Sequence, residues 1–273
     1  MRPIVRAAMS AGLLLAGAAG AGAGGPPSGA LKKCPADSVV SGTVCMDKYE
    51  ASVWRVPNPT TANKSLVSKI QQGKATAADL AKGGATQLGL VSGDYAPCAR
   101  SGQNCVNDIY AVSLSGVIPS ALATWFQAQQ ACTNAGKRLP SNAEWQAAVA
   151  GTPDPGPDNT TTDCNTENIF FTAVNTGSRT SCVSARGAFD MVGNLDEWVA
   201  DWVPQSTACG TWSAGVSPTG DLQCLAGAAT TGEPAALLRG GSFFNDSVAG
   251  PLEVSGSVPL SFVRNFVGFR CAR

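Results

Sequence analysis

The stretch GAFDMVGNLDEWVADW, residues 187–202, decides how this chain folds. A largely apolar run meets a Gly-Asn pair at residues 193–194, and both residue types tolerate the positive φ angles of a turn. The carboxylates of Asp190 and Glu197 flank this turn, and backbone carbonyls lie between them. Hard cations such as Ca²⁺ take both kinds of oxygen as ligands. The residues alone leave two interpretations open: a surface turn with structural carboxylates, or a calcium site.

The N-terminus has the pattern of a secretory signal peptide. Arg2 and Arg6 form a short basic region before an apolar stretch, residues 7–23, which ends in small-x-small cleavage motifs. We predict a signal peptide over residues 1–23 and a disordered leader over residues 24–33. A transmembrane helix is disfavoured because the stretch is mostly Ala and Gly. The chain is therefore predicted to be exported, to the periplasm or the extracellular space.

The rest of the chain, residues 34–273, is long enough for one large domain with a good core. Residues 55–97 are poor in aromatic side chains and rich in Ala, Thr, Gly and Lys, which indicates a surface insertion. The 19 basic and 19 acidic residues give a net charge of zero. This balance predicts no nucleic-acid partner, and the sequence has no second apolar span that would predict a membrane partner after signal removal.

Ten cysteines and no histidine limit the chemistry that the chain can perform. Behind an export signal, an even number of cysteines predicts a disulfide framework. The sequence contains no Cys-x-x-Cys pair, which disfavours a zinc ribbon or a thioredoxin-type redox motif. Without histidine the chain cannot form Ser-His-Asp triads, Cys-His dyads or His-ligated metal sites.

Hydrophobic periodicity and Gly punctuation predict short, scattered elements. The predicted strands are a hairpin between Cys34 and Cys45, and residues 46–54, 109–112 and 266–271. The predicted helices cover residues 64–72, 76–82 and 124–134, and a fourth begins at residue 141. Ser141 and Glu144 fit a Ser-x-x-Glu capping box, in which each side chain bonds a free backbone N–H of the first turn.

Four motifs stand in order along the chain. They read GKRLPSNAEW at 136–145, DMVGNLDEW at 190–198, RGGSF at 239–243 and GFRC at 268–271. Together they resemble the sulfatase-modifying-factor domain, the family of the formylglycine-generating enzyme, over a match from about Cys34 to the C-terminus. One motif alone is weak, whereas four in sequence order are specific. The resemblance implies an α+β, C-type-lectin-like fold with little regular secondary structure.

The same resemblance implies a calcium site at the second of these motifs, residues 190–198. Matched residue by residue, its ligands are the side chains of Asp190 and Glu197 and the carbonyls of Gly193 and Leu195. A second family calcium site falls in the loop near Asn165, where the spacing differs. On this basis calcium is expected as a structural cofactor.

The resemblance also pairs Cys132 with Cys271, which would tie the first long helix to the last strand. The remaining eight cysteines are expected to pair as well, and many connectivities are possible. We favour bridges between neighbours in sequence. The expected bridges are Cys34–Cys45, Cys98–Cys105, Cys164–Cys182 and Cys209–Cys224.

The chain departs from the family at the positions that carry its chemistry. The family's enzyme oxidises a substrate cysteine with copper held by two cysteines, and the matching positions here are Asn245 and Gly250. Thiolates bind Cu(I), and an amide or a glycine does not replace them. Asp196 stands where the family has a tryptophan and Phe266 where it has a pocket asparagine, whereas the pocket serine, Ser242, is kept. The iron-using branches rely on histidines that this chain lacks, so neither copper nor iron is expected.

Two functions are consistent with these residues. The first is an exported, non-catalytic module, stabilised by calcium, that binds a protein or a glycan or serves as a stable scaffold. The second is an oxidoreductase of the formylglycine-generating enzyme and nonheme-iron superfamily with an altered active site. The resemblance implies this alternative because some family members, such as the periplasmic pyoverdine-maturation type, work without the copper cysteines. The candidate acid–base residues for the second function are Asp196, Glu197, Asp246 and Glu253. Each also has a simpler interpretation as a structural or solvated carboxylate, and we favour the first function.

Overall fold

The computed structural model describes residues 33–105, 108–154, 158–167 and 172–273. The predicted signal peptide, and the predicted leader up to residue 32, lie outside the described residues, so both stay predictions. The described residues fall within one compact unit, Leu31–Arg273. None of the helices in this described part of the chain is long and apolar enough to span a membrane.

The strands of the described residues are short and form three sheets. They are β1 Ser38–Ser41, β2 Val44–Asp47, β3 Ala51–Arg55, β4 Thr86–Leu88, β5 Ile109–Ser113, β6 Asp196–Val203, β7 Ala208–Thr211, β8 Leu222–Ala226, β9 Ala235–Arg239, β10 Val254–Ser255 and β11 Val267–Phe269. The largest sheet has the order β11-β6-β9-β10-β8-β7, the second has the order β4-β3-β5, and β1 pairs with β2 as a hairpin. Because β6 and β11 are parallel neighbours, the second and fourth sequence motifs lie side by side.

Side-chain caps define where three of the helices begin. The helices are α1 Lys64–Gln71, α2 Ala77–Lys82, α3 Trp125–Asn134 and α4 Asn142–Val149. Thr76, Thr124 and Ser141 are the N-caps of α2, α3 and α4, and each forms a reciprocal capping box with the side chain three positions on. The predicted ranges of α1, α2 and α3 are confirmed to within one residue at each end. The predicted capping box of Ser141 with Glu144 is also confirmed.

The segment interpreted as a surface insertion, residues 55–97, is packed against the second sheet. It holds α1, α2 and β4, and β4 pairs with β3. Leu66, Ile70 and Leu80 from its helices are buried in one cluster with Tyr110 of β5. One apolar face on each short helix therefore attaches the segment to the sheet.

The single strand predicted over residues 46–54 is wrong, because the chain breaks between β2 and β3. At the break, β2 leaves its hairpin partner β1, and β3 begins to pair with β5. Glu50 at this point is fully buried, and its carboxylate accepts the backbone N–H of Leu195 at 3.0 Å and the side-chain amide of Asn194. A buried carboxylate needs such donors, and alternation of apolar and polar residues does not reveal where they lie.

All ten cysteines form disulfide bonds, and the pairs are those expected from the sequence. Cys132–Cys271 joins α3 to the chain end after β11, across a sequence separation of 139. Cys209–Cys224 links the antiparallel strands β7 and β8, across a separation of 15. Five disulfides indicate folding in an oxidising, extracytoplasmic environment.

We expect the Cys132–Cys271 bridge to stabilise the fold more than the Cys209–Cys224 bridge. Closing a loop removes entropy from the unfolded chain, about 5 kcal/mol for the long loop and about 3 kcal/mol for the short one. The variant Cys132→Ala/Cys271→Ala should therefore lose more unfolding free energy in urea than Cys209→Ala/Cys224→Ala. Unfolding is monitored by tryptophan fluorescence under matched conditions. Equal losses of unfolding free energy in the two variants would contradict this ranking.

Candidate functional site

Hydrogen bonds from three other segments hold the Gly-Asn turn at residues 193–194. Gly193 and Asn194 both have positive φ angles, 71° and 62°. A Cβ atom on Gly193 would lie 2.5 Å from the carbonyl oxygen of Asn165, so only glycine fits. The Asn194 side chain donates to Glu50 and accepts from the Asn165 amide and the Val174 N–H, each at 2.9 Å. The turn is a buried junction between segments and not a surface turn.

Glu197 forms a buried ion pair with Arg270 of the last motif. Nε of Arg270 lies 2.8 Å from both carboxylate oxygens, and its Nη2 lies 2.6 Å from Oε1. The indole N–H of Trp145 donates to Oε2 at 2.7 Å. All three side chains are almost completely excluded from solvent. The pair therefore joins β6 to the end of the chain and to helix α4.

Backbone carbonyls accept the other hydrogen bonds of Arg270. Its Nη2 donates to the carbonyls of Phe189 at 2.8 Å and Asp190 at 3.2 Å, and its Nη1 donates to the carbonyl of Asp47 at 3.2 Å. The Asp190 carboxylate accepts the N–H of Gly177 at 2.7 Å, and burial raises the pKa of Asp190 to about 7. The guanidinium thus binds carbonyl and carboxylate oxygens, the two kinds of ligand expected for calcium.

This arrangement does not fit a calcium ion on Glu197. Both carboxylate oxygens already bind the Arg270 guanidinium, and a divalent cation beside it would meet a like charge. In the described ranges, no three Asp, Glu, Cys or His side chains are grouped to hold a metal ion. Asn165 does not fit the second expected site, because its amide donates to Asn194 and its Oδ1 lies 3.5 Å from Nη2 of Arg179. The resemblance alone supports the calcium set of Asp190, Gly193, Leu195 and Glu197.

Asp196 lines a cavity of about 170 Å³ on the other side of β6. Successive residues of a strand point to opposite faces of the sheet, so Asp196 and Glu197 belong to separate sites. The cavity holds residues at which the chain departs from the family. The side chains that matter for its chemistry are Asp196, Asn245, Glu253, Phe262 and Phe266.

The two positions that match the copper cysteines form other contacts. Oδ1 of Asn245 accepts the backbone N–H of Ser242 at 2.9 Å and also the Ser242 hydroxyl at 2.5 Å. Gly250 lies against the carboxylate of Asp221, and a Cβ atom at this position would overlap that carboxylate. Asp221 is held in place by the N–H of Leu252, which it accepts at 2.7 Å. A cysteine at position 250 would require Asp221 to move, so the second thiolate position is closed.

Phe266 belongs to an aromatic cluster beside the cavity. Its ring centroid lies 4.8 Å from that of Phe244 and 6.3 Å from that of Phe262, both in edge-to-face geometry. Phe244 is 44% exposed, and the guanidinium of Arg264 lies 4.9 Å from the ring centroid of Phe262. Where the family has an amide, this chain therefore has an apolar wall.

Two buried carboxyl groups line the cavity, and burial disfavours their charged forms. Asp196 is 6% exposed and Glu253 is 1% exposed. Burial, together with the charge of Glu197, raises the pKa of Asp196 to about 7. Burial, together with the charge of Asp196, raises the pKa of Glu253 well above its ordinary value. Asp246 is exposed on the 3₁₀ turn Asp246–Val248, so only two of the four acid–base candidates share this cavity.

Sequence reasoning missed two charged residues beside the cavity, Asp221 and Arg239. Arg239 stacks on Trp145, with its guanidinium 4.6 Å from the ring centroid, and burial lowers the pKa of Arg239 to about 10. It donates to Asn142 across 97 sequence positions. No local pattern marks such contacts, because they form only when α4 packs on the sheet.

These features define a C-type-lectin-like module in which short strands and few helices are joined by five disulfides. The chain belongs to the sulfatase-modifying factor enzyme 1-like domain family, whose model matches residues 98–273. The matched range contains the four sequence motifs, the buried ion pair and the cavity.

Curated relatives and solved structures share parts of this chain. The serine/threonine-protein kinase Pkn1 of Chlamydia trachomatis serovar L2 is 34% identical over 109 residues, which are 38% of this chain and 16% of that protein. The Chlamydia pneumoniae kinase pkn1 is 33% identical over 108 residues, with the same shares. The Major Tropism Determinant P3c variant is 18% identical, with a TM-score of 0.47 over 88% of this chain and 54% of that chain. CarF is 14% identical, with a TM-score of 0.41 over 84% of this chain and 85% of that chain.

Removing Arg270 should destabilise the fold through Glu197. The variant Arg270→Met leaves a buried carboxylate without its cation, which should cost about 3–5 kcal/mol of unfolding free energy in urea. The double variant Arg270→Met/Glu197→Gln should recover part of this loss, because the amide oxygen can still accept the Trp145 hydrogen bond.

Since the Arg270 guanidinium supplies the positive charge beside Glu197, the calcium chelator EGTA should leave the wild-type unfolding curve unchanged. A clear loss of stability on chelation would instead support the calcium site.

Glu253→Gln should stabilise the protein more at pH 8 than at pH 5. The pKa of Glu253 is raised in the folded state, so its contribution to stability is complete below the unfolded pKa of about 4.3 and is lost as pH rises through the folded pKa. Glutamine does not ionise and can still accept the Gly241 N–H. Melting temperatures of wild type and variant at both pH values test this, with the exposed Glu233→Gln as control. A pH-independent difference for Glu253→Gln would refute it.

Proposed function

We propose that this chain is an exported, non-catalytic member of its family that binds a protein or glycan partner. The observation that carries the proposal concerns the cysteines: all ten form disulfides, and Asp221 closes the Gly250 position. The copper chemistry implied by the family resemblance needs two thiolates at this pocket. With Asn245 bonded to Ser242, neither matching position offers a soft ligand.

Two features support export. The N-terminal sequence has a basic region, an apolar stretch and small-residue cleavage motifs. The five disulfides are the kind of covalent framework that persists in oxidising compartments outside the cytosol. Both features are independent of the pocket, so they bear on location alone.

Exposed aromatic side chains support a binding role. Trp202 is 50% exposed, and its ring lies 5.0 Å from that of Trp125 in edge-to-face geometry. Phe126 packs against both rings, and Phe244 is exposed beside the cavity. Large rigid aromatic side chains on a surface are typical of protein interfaces, and their flat faces also suit sugar rings.

The second candidate function is an oxidoreductase with an altered active site. It is favoured by one observation: Asp196 and Glu253 are buried in one cavity with raised pKa values, as acid–base groups often are. Carboxyl groups move protons but accept no electrons, so a redox reaction here would depend on a further group. For this reason we rank it below the non-catalytic function.

A copper-loading experiment tests the non-catalytic proposal against the family's copper chemistry. The mature, exported protein is incubated with Cu(I), dialysed and analysed for copper, then mixed with a cysteine-containing peptide in air and followed by mass spectrometry. We expect substoichiometric copper and no oxidised peptide. The variant Asp221→Ala/Asn245→Cys/Gly250→Cys supplies two thiols and the space for them, and serves as the positive control for copper binding. One copper per wild-type chain, or conversion of the peptide cysteine to an aldehyde, would overturn the non-catalytic proposal.

A further inference from the structure

We propose that the cavity lined by Asp196, Glu253, Phe262 and Phe266 binds a primary ammonium group carried on an unbranched alkyl chain, as at the end of a lysine side chain. The inference rests on the proposed function, because a pocket without redox chemistry is free to hold part of a partner, and it names the chemical class of that part. Four observations carry it: two carboxyl groups with no cation bonded to them, a carboxylate with few hydrogen-bond donors, an aromatic wall and a small volume.

The cavity has more negative than positive groups around it. The carboxyls of Glu253 and Asp221 lie near the guanidinium of Arg239, and the carboxyl of Asp196 lies near that of Glu253. The guanidinium of Arg264 is exposed and lies over the ring of Phe262. Arg239 gives its hydrogen bonds to amide side chains of α4 and to the carbonyl of Pro251, at 3.2 Å, rather than to the cavity. Within the described residues, the two cavity carboxyls therefore have no cation bonded to them. A buried carboxylate in that position gains much from a cationic ligand.

Among the residues that the structure describes, one side chain donates a hydrogen bond to the Asp196 carboxylate, which is few for a buried carboxylate. Its partner is the hydroxyl of Ser242, and that hydroxyl also lies 2.5 Å from Oδ1 of Asn245. One hydroxyl hydrogen cannot satisfy both acceptors, whereas a carboxylate has two oxygens that can each accept more than one hydrogen bond. An ammonium group brings three donors in a compact head, which suits two carboxyls in one small space.

The aromatic wall selects an alkylammonium ion over a metal ion. Phe262 and Phe266 line the cavity together with Leu238 and Val258. Calcium and magnesium need six or more oxygen ligands, which a half-apolar lining does not provide. A cation near an aromatic ring is attracted to its face, and an alkyl chain packs favourably on the same apolar surface. Charge at one end and an apolar stem are the two features that this lining complements.

The volume sets the size of the ligand. A cavity of about 170 Å³ is smaller than the roughly 300–1,000 Å³ of pockets that hold drug-sized molecules. It has room for one side chain rather than for a nucleotide or a whole sugar chain. Phe244, 44% exposed and in contact with Phe266, offers further apolar surface outside it. A lysine on a polypeptide could cover that surface, whereas a free alkylamine could not.

Calorimetry with paired ligands tests the proposal. The mature protein with intact disulfides is titrated at pH 7.5 and low salt with Nα-acetyl-lysine N-methylamide and with the uncharged analogue Nα-acetyl-norleucine N-methylamide. We expect the lysine derivative to bind at least about tenfold more tightly than the norleucine derivative, because only it carries the charge. Titration with pentylamine distinguishes the two possible sources of the ammonium group. If pentylamine binds more weakly than the lysine derivative, the ligand is a polypeptide side chain. If it binds equally or more tightly, the ligand is a free amine.

Matched variants locate the binding site. Asp196→Asn and Glu253→Gln should each weaken binding of the lysine derivative at least about tenfold, since both remove a carboxylate from the cavity. Glu233→Gln is the control, because this exposed carboxylate bonds Ser261, the neighbour of Phe262, without lining the cavity. A single cooperative melting transition above the temperature of the titration shows that each variant is folded, and the two cavity variants provide independent tests if one is not.

Three outcomes would overturn the inference: no binding of the lysine derivative or pentylamine, equal binding of the norleucine derivative, or unchanged affinity in both cavity variants. None of these outcomes alters the result of the copper-loading experiment, which judges the non-catalytic proposal. Conversely, copper binding or peptide oxidation would remove the non-catalytic proposal while the calorimetry still reported on the amine site.

Discussion

The buried pair of Glu197 and Arg270 is the interaction on which the rest of the structure depends. It fixes the parallel neighbours β6 and β11, and the guanidinium also binds the carbonyls of Phe189 and Asp47. The side chain of Arg270 thus joins the motif at residues 190–198 to the first hairpin. Removing one member of such a pair leaves an uncompensated buried charge, which is why breaking a buried pair is far more damaging than the pair's net contribution suggests.

A single strand, β6, separates the structural site from the candidate binding site. Glu197 faces the arginine and Trp145, whereas Asp196, one residue earlier, faces the cavity. The alternation of side chains along a strand makes this division possible. Two adjacent acidic residues therefore have different roles: the first gives the cavity negative charge, and the second is neutralised inside the domain. The tryptophan expected at the first position would bring no carboxyl group to the cavity.

The departures from the family are built into the packing of the pocket. Asn245 accepts hydrogen bonds from Ser242, and Asp221 occupies the space next to Gly250. Phe266 contributes an aromatic wall where an amide is expected. At position 250 the carboxylate of Asp221 would have to move for the change to be reversed. The pocket therefore has a lining of carboxyl and aromatic groups and lacks the two thiolates that would bind copper.

The sequence by itself determined the local features: the ranges of three helices, the capping box of Ser141 with Glu144, the first hairpin, and four disulfides between neighbouring cysteines. Caps, turns and short loops depend on residues a few positions apart, and motif order predicted the family and the bridge from Cys132 to Cys271. Only the tertiary structure decided that Glu197 pairs with Arg270, that Glu50 breaks a strand, and that Asp221 closes the Gly250 position. These contacts join residues far apart in sequence. They are needed because a buried polar or charged group costs free energy unless it is hydrogen-bonded or paired, and burial is set by the tertiary structure. No local sequence pattern therefore encodes them.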